Sequence, residues 1–124
     1  LLKKLLLNVR MERKTYIAER LADIDIEWED GACVCVVLAS GGYPLHYVKG
    51  KEITIGDVGD CDIVHAGTAI KDGKLVTNGG RVLDVVAKGA TIDEARAKAY
   101  AAVRNISWEG MQYRTDIGIK YRNK

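Results

Sequence analysis

The sequence predicts an α+β fold: a small, mostly antiparallel sheet or partial barrel with one amphipathic helix packed on it and another helix at the N-terminus. Three observations predict this fold. Residues 33–39 form a continuous valine-rich run, which is typical of a buried strand. The pair Asp72-Gly73 separates two short apolar segments, as in a two-residue hairpin. After Thr91, apolar residues recur at helical spacing.

The N-terminal part is predicted to be a helical segment separate from the main domain. Residues 1–22 have the apolar spacing of a helix, and residues 23–124 are expected to form one domain. Residues 23–29 alternate between acidic and apolar side chains, which predicts a half-buried strand with a solvated acidic face. Five of the first seven residues are leucine, so we expect this helix to expose an apolar side that a second copy of the chain would cover.

The strands of the main domain follow in order. The run 33–39 is expected to be buried on both faces and to lead directly into Ser40-Gly41-Gly42-Tyr43-Pro44. The next predicted elements are an irregular stretch at 45–60, a short strand at 62–65 and a hairpin at 69–76. A second long strand is predicted at 81–87, with Gly89 terminating it.

The well-patterned helix is predicted to begin after Thr91, because Thr91 and Glu94 have the spacing of a capping box. Its apolar face would lie on the sheet and contains Ile92, Ala95, Ala99, Ala102, Val103 and Ile106. Beyond it, the mixed pattern predicts only a short strand at 111–113. Arg114 and Asp116 are expected to form an ion pair that pins the tail near the glycine-rich turns.

Composition argues against two classes of partner. The net charge of +2 and an aromatic content of 6% without phenylalanine do not predict a nucleic-acid surface. The leucine-rich run of residues 1–7 is much shorter than the ~20 residues of a membrane span, and Lys3 and Lys4 interrupt it. We therefore expect neither a nucleic-acid partner nor a membrane.

The three cysteines are expected to be free, buried thiols. Cys33 and Cys35 lie two positions apart in a predicted strand, where a disulfide between them would be strained. One alternative is a metal site made by Cys33, Cys35, Cys61 and a histidine, although no standard ligand spacing is present. A reactive or regulatory thiol is the other alternative.

Four glycine-rich corners carry the main functional signal. We call them the first, second, third and fourth glycine corners: residues 40–44 (SGGYP), 65–68 (HAGT), 77–81 (TNGGR) and 109–114 (EGMQYR). Glycine lets backbone N–H groups approach a ligand closely, and an arginine beside them makes an anion site. Each corner taken alone is better explained as a tight turn between strands, and the functional signal lies in the four together.

Arg81 is the leading candidate for substrate binding. Its guanidinium matches the two-pronged geometry of a phosphate or carboxylate, and the alternative is a salt bridge within the fold. Asn78 would orient the third corner or donate to the ligand, or would only form the turn. His65 is a candidate acid or base, with a hydrogen-bonded core histidine as the alternative. Lys49 and Lys51 would face a phosphate or be solvated.

Six blocks of sequence, taken in this order, resemble the C-terminal domain of phosphoribosylamine–glycine ligase, an ATP-grasp enzyme. The resemblance runs from about residue 22 to residue 118. It rests on residues 34–44 (VCVVLASGGYP), 49–53 (KGKEI), 65–68, 72–83 (DGKLVTNGGRVL), Ala95 with Arg96 and Tyr100, and 109–118 (EGMQYRTDIG). The sequence departs from the family pattern at Cys33, Leu45, His46 and Asp84. None of these departures touches Arg81 or the glycines before it.

The resemblance implies a piece of a cytoplasmic ligase that joins phosphoribosylamine to glycine with ATP in purine biosynthesis. ATP and magnesium, or manganese, would be bound by an ATP-grasp domain of the same polypeptide, which would be this domain's partner together with an N-terminal domain. The resemblance implies that residues 1–22 are the remnant of the junction with that domain. No residue of the chain receives a catalytic role, and we expect the isolated chain to be inactive. The implied substrate-binding residues are Arg81, Asn78, Gly79, Gly80, Gly41, Gly42 and Tyr43.

Two other functions remain open from the sequence. The chain could be a non-catalytic interaction or dimerisation module, which would bind a partner through the face that an ATP-grasp domain would otherwise cover. It could also be a small metal or thiol protein that uses its cysteines.

Overall fold

The structure is a computed structural model that describes residues 29–119. Within that range the chain forms seven strands and one helix, which confirms the predicted α+β fold. In chain order they are β1 (Ala32–Ala39), β2 (Thr54–Ile55), β3 (Asp62–His65), β4 (Thr68–Lys71), β5 (Lys74–Thr77), β6 (Arg81–Gly89), α1 (Ile92–Val103) and β7 (Ile106–Ser107).

The chain divides into two compact units, Leu1–Asp30 and Gly31–Lys124. All the strands and the helix named above belong to the second unit. The helix predicted over 1–22 lies outside the described residues, and so does all but the last residue of the strand predicted over 23–29. The domain boundary after residue 22 and the self-association of the leucine-rich start stay predictions.

The main sheet is antiparallel and has the order β1–β6–β3, so its longest strand lies in the middle. β1 pairs with β6 along its length until the register shifts between Leu38 and Ala39, where Ala39 comes to lie opposite Arg81. The shift falls where β1 ends and the first glycine corner begins. Two smaller pairs, β4 with β5 and β2 with β7, complete the strands of the described range.

The β4–β5 hairpin forms as predicted. Asp72 and Gly73 connect the two strands and have φ angles of 51° and 75°. Positive φ at both central residues is the requirement of the two-residue turn that matches strand twist. The Asp-Gly pair therefore fixes the register of the hairpin, in which Lys71 lies opposite Lys74.

The N-terminal cap of α1 is also confirmed. The Thr91 hydroxyl accepts a hydrogen bond from the Glu94 N–H at 3.2 Å. In a standard capping box the Glu94 carboxylate would accept a hydrogen bond from the N–H of the cap residue, Thr91. Here it accepts instead from the N–H of the preceding residue, Ala90, at 2.8 Å. No helix within residues 29–119 is long and apolar enough to span a membrane.

The core lies between α1 and one face of the main sheet. Alternate residues of β1 point to this face, where Val34, Val36 and Leu38 are buried. Opposite them on β6 lie the buried side chains of Leu83, Val85 and Ala87. The helix buries Ala95, Ala99, Ala102 and Val103, and its small alanine side chains bring its axis close to the sheet. The predicted apolar face of the helix is thus largely confirmed.

The other face of β1 is open, so the prediction that this strand is buried on both faces is wrong. Cys35 is exposed, and 39% of Val37 is exposed. The valine-rich run gave no sign of this because an apolar run does not reveal how many layers cover a sheet. Within the described residues the helix covers one face only.

The cysteines are free, as predicted, but they are not buried. Cys33 and Cys61 are half-buried and Cys35 is exposed. Cys33 and Cys35 lie on the open face of β1, whereas the Cys61 thiol donates to the Lys98 carbonyl of α1 at 3.6 Å, on the helix side of the sheet. The three thiols therefore do not converge on one point.

The chain after α1 has little regular structure. The strand predicted at 111–113 is reduced to one bridge between Ala39 and Gln112. The predicted pair of Arg114 with Asp116 is present, with Nε–Oδ1 and Nη2–Oδ2 distances of 2.9 and 2.6 Å. The pair joins Arg114, the last residue of the fourth glycine corner, to a carboxylate two positions further along the same tail.

Two loops touch backbone to backbone at Gly67 and Gly79. A Cβ on Gly67 would lie 2.5 Å from the Arg81 carbonyl oxygen and 2.7 Å from the Gly79 Cα. Gly67 does not have positive φ, so lack of space alone excludes a side chain there. Gly59, by contrast, has φ of +60°, and a Cβ added to it would have nothing within 4 Å.

We predict that Gly67→Ala lowers the free energy of unfolding by about 1–3 kcal/mol, as overpacking against backbone atoms does. Gly59→Ala is the comparison for left-handed strain without a collision, and we expect it to cost about 1 kcal/mol. Urea unfolding of both variants and of the unsubstituted chain measures the two costs. An unfolding midpoint of Gly67→Ala equal to that of the unsubstituted chain would show that the contact at Gly67 tolerates a methyl group.

Candidate functional site

The first three glycine corners lie together at one end of the main sheet. The Ser40 N–H donates to the Gly80 carbonyl and the Ser40 hydroxyl donates to the Gly79 carbonyl, both at 2.8 Å. The second corner joins the same loop, since the Gly67 N–H donates to the Arg81 carbonyl at 2.9 Å. Ser40 is buried, so these bonds tie the end of β1 to the start of β6 inside the fold.

The fourth corner closes the group from the other side. Ala39 and Gln112 exchange two backbone hydrogen bonds of 2.8 and 2.9 Å, and the Gln112 side-chain amide donates to the Tyr43 carbonyl at 2.9 Å. Gly41 packs on Gly110 so closely that a Cβ on Gly41 would lie 2.7 Å from the Gly110 carbonyl oxygen. Four segments that are up to about 70 residues apart in the chain thus form one surface.

Two cavities open beside the corners and share Val37, Tyr43 and Arg81. The first has a volume of about 440 Å³ and is completed by Ala39, Gln112, Tyr113 and Arg114. The second has a volume of about 560 Å³ and is completed by Cys35, Tyr47, Ala66, Gly67, Gly80 and Asp84. Both volumes lie within the range that small-molecule sites occupy.

Arg81 lies where the two cavities meet. It is the first residue of β6, and its side chain is exposed. Among residues 29–119 its guanidinium has no ion pair and no hydrogen bond to a side chain or carbonyl. A salt bridge within the fold was the alternative role for Arg81. The described part of the chain offers no partner for it, and within that part all five N–H donors of the guanidinium are available to a ligand.

The predicted site residues separate into lining and supporting groups. Arg81, Tyr43 and Gly80 line the cavities. Position 80 has no room for a side chain, because a Cβ on Gly80 would overlap the Tyr43 ring. The peptide bond between Tyr43 and Pro44 is cis.

The other predicted residues support the loops from behind. Gly41 and Gly79 make the close backbone contacts with the fourth and second corners, and Gly42 has φ of +86° in the turn. The Asn78 N–H donates to the Gly67 carbonyl at 2.7 Å, while the Asn78 side chain is exposed and lines neither cavity. None of these residues reaches the cavity surface.

Sequence reasoning missed several lining residues. Val37 and Cys35 were assigned to the interior, although the strand alternation that buries Val36 would have placed them together on the opposite face. Arg114 was included in the fourth glycine corner, but its only assigned contact was the pair with Asp116. The hydrogen bonds to the Asp116 carboxylate, and its charge, raise the pKa of the Arg114 guanidinium, which stays fully charged.

The remaining candidates lie away from the cavities. His65 is exposed rather than part of the core, and its Nδ1 lies 3.1 Å from the Thr68 hydroxyl. Lys51 pairs with Glu109 at 2.7 Å, and Lys49 is exposed. Neither lysine lines either cavity.

Two of the thiols, those of Cys35 and Cys61, are not activated. Partial burial, with the Asp84 charge second, raises the pKa of Cys35, and partial burial with the Asp60 charge raises that of Cys61. Both thiols therefore stay protonated near neutral pH and are poor nucleophiles. Across residues 29–119 no three His, Cys, Asp or Glu side chains come together as a metal site would require.

Comparison with known proteins agrees with this geometry. Residues 33–120 match the family described as "Phosphoribosylglycinamide synthetase, C domain". The phosphoribosylamine–glycine ligase of Caldanaerobacter subterraneus is 48% identical over 103 residues, which cover 82% of this chain and 25% of the relative. That of Corynebacterium ammoniagenes is 52% identical over 94 residues, covering 75% of this chain and 22% of the relative.

A solved structure gives the same result. The crystal structure of the phosphoribosylamine–glycine ligase of Thermotoga maritima superposes with a TM-score of 0.71 at 46% identity, over 81% of this chain and 26% of that one. This chain thus spans about a quarter of the length of the relatives it matches. The matched residues include all four glycine corners, and the chain belongs to the phosphoribosylglycinamide synthetase C-domain family.

Proposed function

We propose that this chain is the C domain of a longer phosphoribosylamine–glycine ligase of purine biosynthesis, and that its glycine corners form one wall of the active site. The family match and the names of the relatives support the enzyme class. We expect such a biosynthetic ligase in the cytoplasm, with its ATP-grasp and N-terminal domains as the partners of this one.

The proposed reaction has two steps. The glycine carboxylate takes the terminal phosphoryl group of ATP, which yields glycyl phosphate and ADP. The amine of phosphoribosylamine then attacks the acyl carbon, phosphate leaves, and an amide bond forms. We assign ATP and magnesium, or manganese, to the other domains, because the described residues of this chain do not assemble a ligand set for the ion.

One observation carries the role of Arg81: an arginine without an ion pair among the described residues stands where two cavities meet. A guanidinium binds a phosphate monoester through two parallel charge-assisted hydrogen bonds. The Gly80 N–H group, which donates to no carbonyl within residues 29–119 and belongs to a residue that lines the second cavity, would add a donor beside it. We therefore infer that Arg81 holds the phosphate of phosphoribosylamine or the acyl phosphate.

The same surface is suited to keep water away from the acyl phosphate. The first cavity has an apolar floor made by Val37 and Ala39, with the Tyr43 and Tyr113 rings beside it. Excluding water strengthens electrostatic contacts in a site and prevents hydrolysis of a reactive intermediate. The domain would thus act by closing the site and not by supplying an acid or base.

A second candidate function is a non-catalytic interaction or dimerisation module. The open sheet face at Val37 favours it, together with the loop residues Leu45 and Val48, which are 82% and 67% exposed. In this case the isolated chain would form a dimer, and Arg81 would be dispensable for the activity of any ligase that carries it. Sedimentation of the isolated chain and the kinetics below separate the two functions.

We predict that Arg81→Lys in the ligase that carries this chain lowers turnover roughly a hundredfold or more, since losing one contact made in the transition state costs about 2–4 kcal/mol. Lysine keeps the charge but loses the two-pronged contact. Arg104→Lys, on an exposed arginine after α1, is the matched control. Steady-state kinetics and a thermal melt are measured together. Unchanged turnover with a lowered melting temperature would assign Arg81 to stability alone.

We also predict that the 124-residue chain by itself has no ligase or ATPase activity and no measurable affinity for ATP. Its sequence contains no glycine-rich loop with the lysine that grips phosphates and no carboxylate cluster for magnesium. Calorimetric titration with ATP and magnesium tests this. A micromolar dissociation constant would contradict the assignment of the nucleotide to the other domains.

A further inference from the structure

Helix α1 holds the tail of the domain from behind through two side chains. We call residues 113–118 the tail segment. The Arg96 guanidinium donates through Nε to the Ile117 carbonyl at 3.0 Å and through Nη2 to the Thr115 carbonyl at 2.7 Å. Two parallel bonds from one planar group fix the direction of the backbone they bind.

Tyr100, one turn further along α1, makes two more bonds to the same segment. Its hydroxyl donates to the Arg114 carbonyl at 2.6 Å and accepts from the Ile117 N–H at 3.2 Å. The Arg96 guanidinium carbon lies 4.7 Å from the centre of the Tyr100 ring, so the two side chains also support each other. Four hydrogen bonds thus join the helix to a stretch with no regular strand or helix of its own.

The tail segment carries two residues of the first cavity. Tyr113 and Arg114 line the cavity that Arg81 also lines, and the Tyr113 ring lies 6.3 Å from the Tyr100 ring, centre to centre. Asp116 holds the Arg114 guanidinium through Nε and one terminal nitrogen. Among residues 29–119 the other terminal nitrogen has no partner, and its donors are available to a ligand.

We propose that Arg96 and Tyr100 are positioning residues that hold Arg114 at the cavity as a second anion-binding arginine beside Arg81. The ligand of the pair is the phosphate monoester of the ligase substrate, so the proposal rests on the proposed function. A phosphate monoester carries close to two negative charges near neutral pH. Arg81 supplies a positive charge without an ion pair in the described residues, and Arg114, whose charge Asp116 balances, adds N–H donors beside it. The helix supplies the rigidity that the tail segment lacks.

The test uses the ligase that carries this chain. Tyr100→Phe removes the hydroxyl but keeps the ring, and Arg96→Lys removes the two-carbonyl contact but keeps the charge. We expect each to raise the KM for phosphoribosylamine roughly three- to tenfold, as the loss of one or two modest hydrogen bonds implies, and to leave the KM for ATP unchanged. Arg104→Lys, directly after α1 but away from the cavities, is the control and should change neither constant.

A double variant shows whether the effect passes through Arg114. If it does, Tyr100→Phe combined with Arg114→Lys raises the KM for phosphoribosylamine no more than Arg114→Lys alone. Additive effects would overturn the proposal, and so would equal increases in the KM for both substrates, which a general loss of stability produces. If the Arg96→Lys variant fails to fold, the KM of the Tyr100→Phe variant for phosphoribosylamine tests the proposal by itself.

Arg81→Lys distinguishes failure of this proposal from failure of the proposed function. If Arg81→Lys impairs the ligase while Arg114→Lys and Tyr100→Phe leave the KM for phosphoribosylamine unchanged, the positioning proposal is overturned and the proposed function stands. If none of the three variants changes the kinetics, the proposed function fails, and the positioning proposal falls with it.

Discussion

Close contact between glycine backbones is the constraint on which the candidate site depends. At Gly67 with Gly79, and at Gly41 with Gly110, the loops approach so closely that a single Cβ would collide with backbone atoms. These contacts bring together the loops that follow β1, β3, β5 and β7 without any regular pairing among them. Gly41, Gly67 and Gly79 are required for space more than for freedom in φ, whereas Gly110 has φ of +78°.

The contacts determine how Arg81 is presented. The Gly67 N–H donates to the Arg81 carbonyl, and Ser40 donates hydrogen bonds to the carbonyls of Gly79 and Gly80. The Arg81 side chain extends from the first residue of β6. The backbone of Arg81 is therefore fixed, while its guanidinium stays without an ion pair in the described part of the chain. The fixed backbone removes part of the reorganisation that ligand binding would otherwise require. The exposed side chain is then ordered by the ligand itself.

The elements with strong local signals could be predicted from the sequence. The Asp72-Gly73 turn, the Thr91 cap and the strand that begins at Arg81 each depend on residues a few positions apart, and all three are confirmed. The six-block resemblance likewise identified the family that the comparisons then established.

What depends on distant parts of the chain could not be predicted. The open face at Val37 depends on how many layers cover the sheet, which a run of apolar residues does not encode. The support of the tail by Arg96 depends on contacts across about twenty residues, whereas the sequence led us to assign that holding role to the Arg114–Asp116 pair instead.

The central claim is that the glycine corners hold Arg81 against the phosphate of the ligase substrate. The most direct measurement is a crystal structure of the ligase that carries this chain, with its product phosphoribosylglycinamide bound. The account predicts that the Arg81 guanidinium lies within hydrogen-bond distance, about 2.7–2.9 Å, of two phosphate oxygens. A phosphate held entirely by other domains, with Arg81 facing solvent, would contradict it.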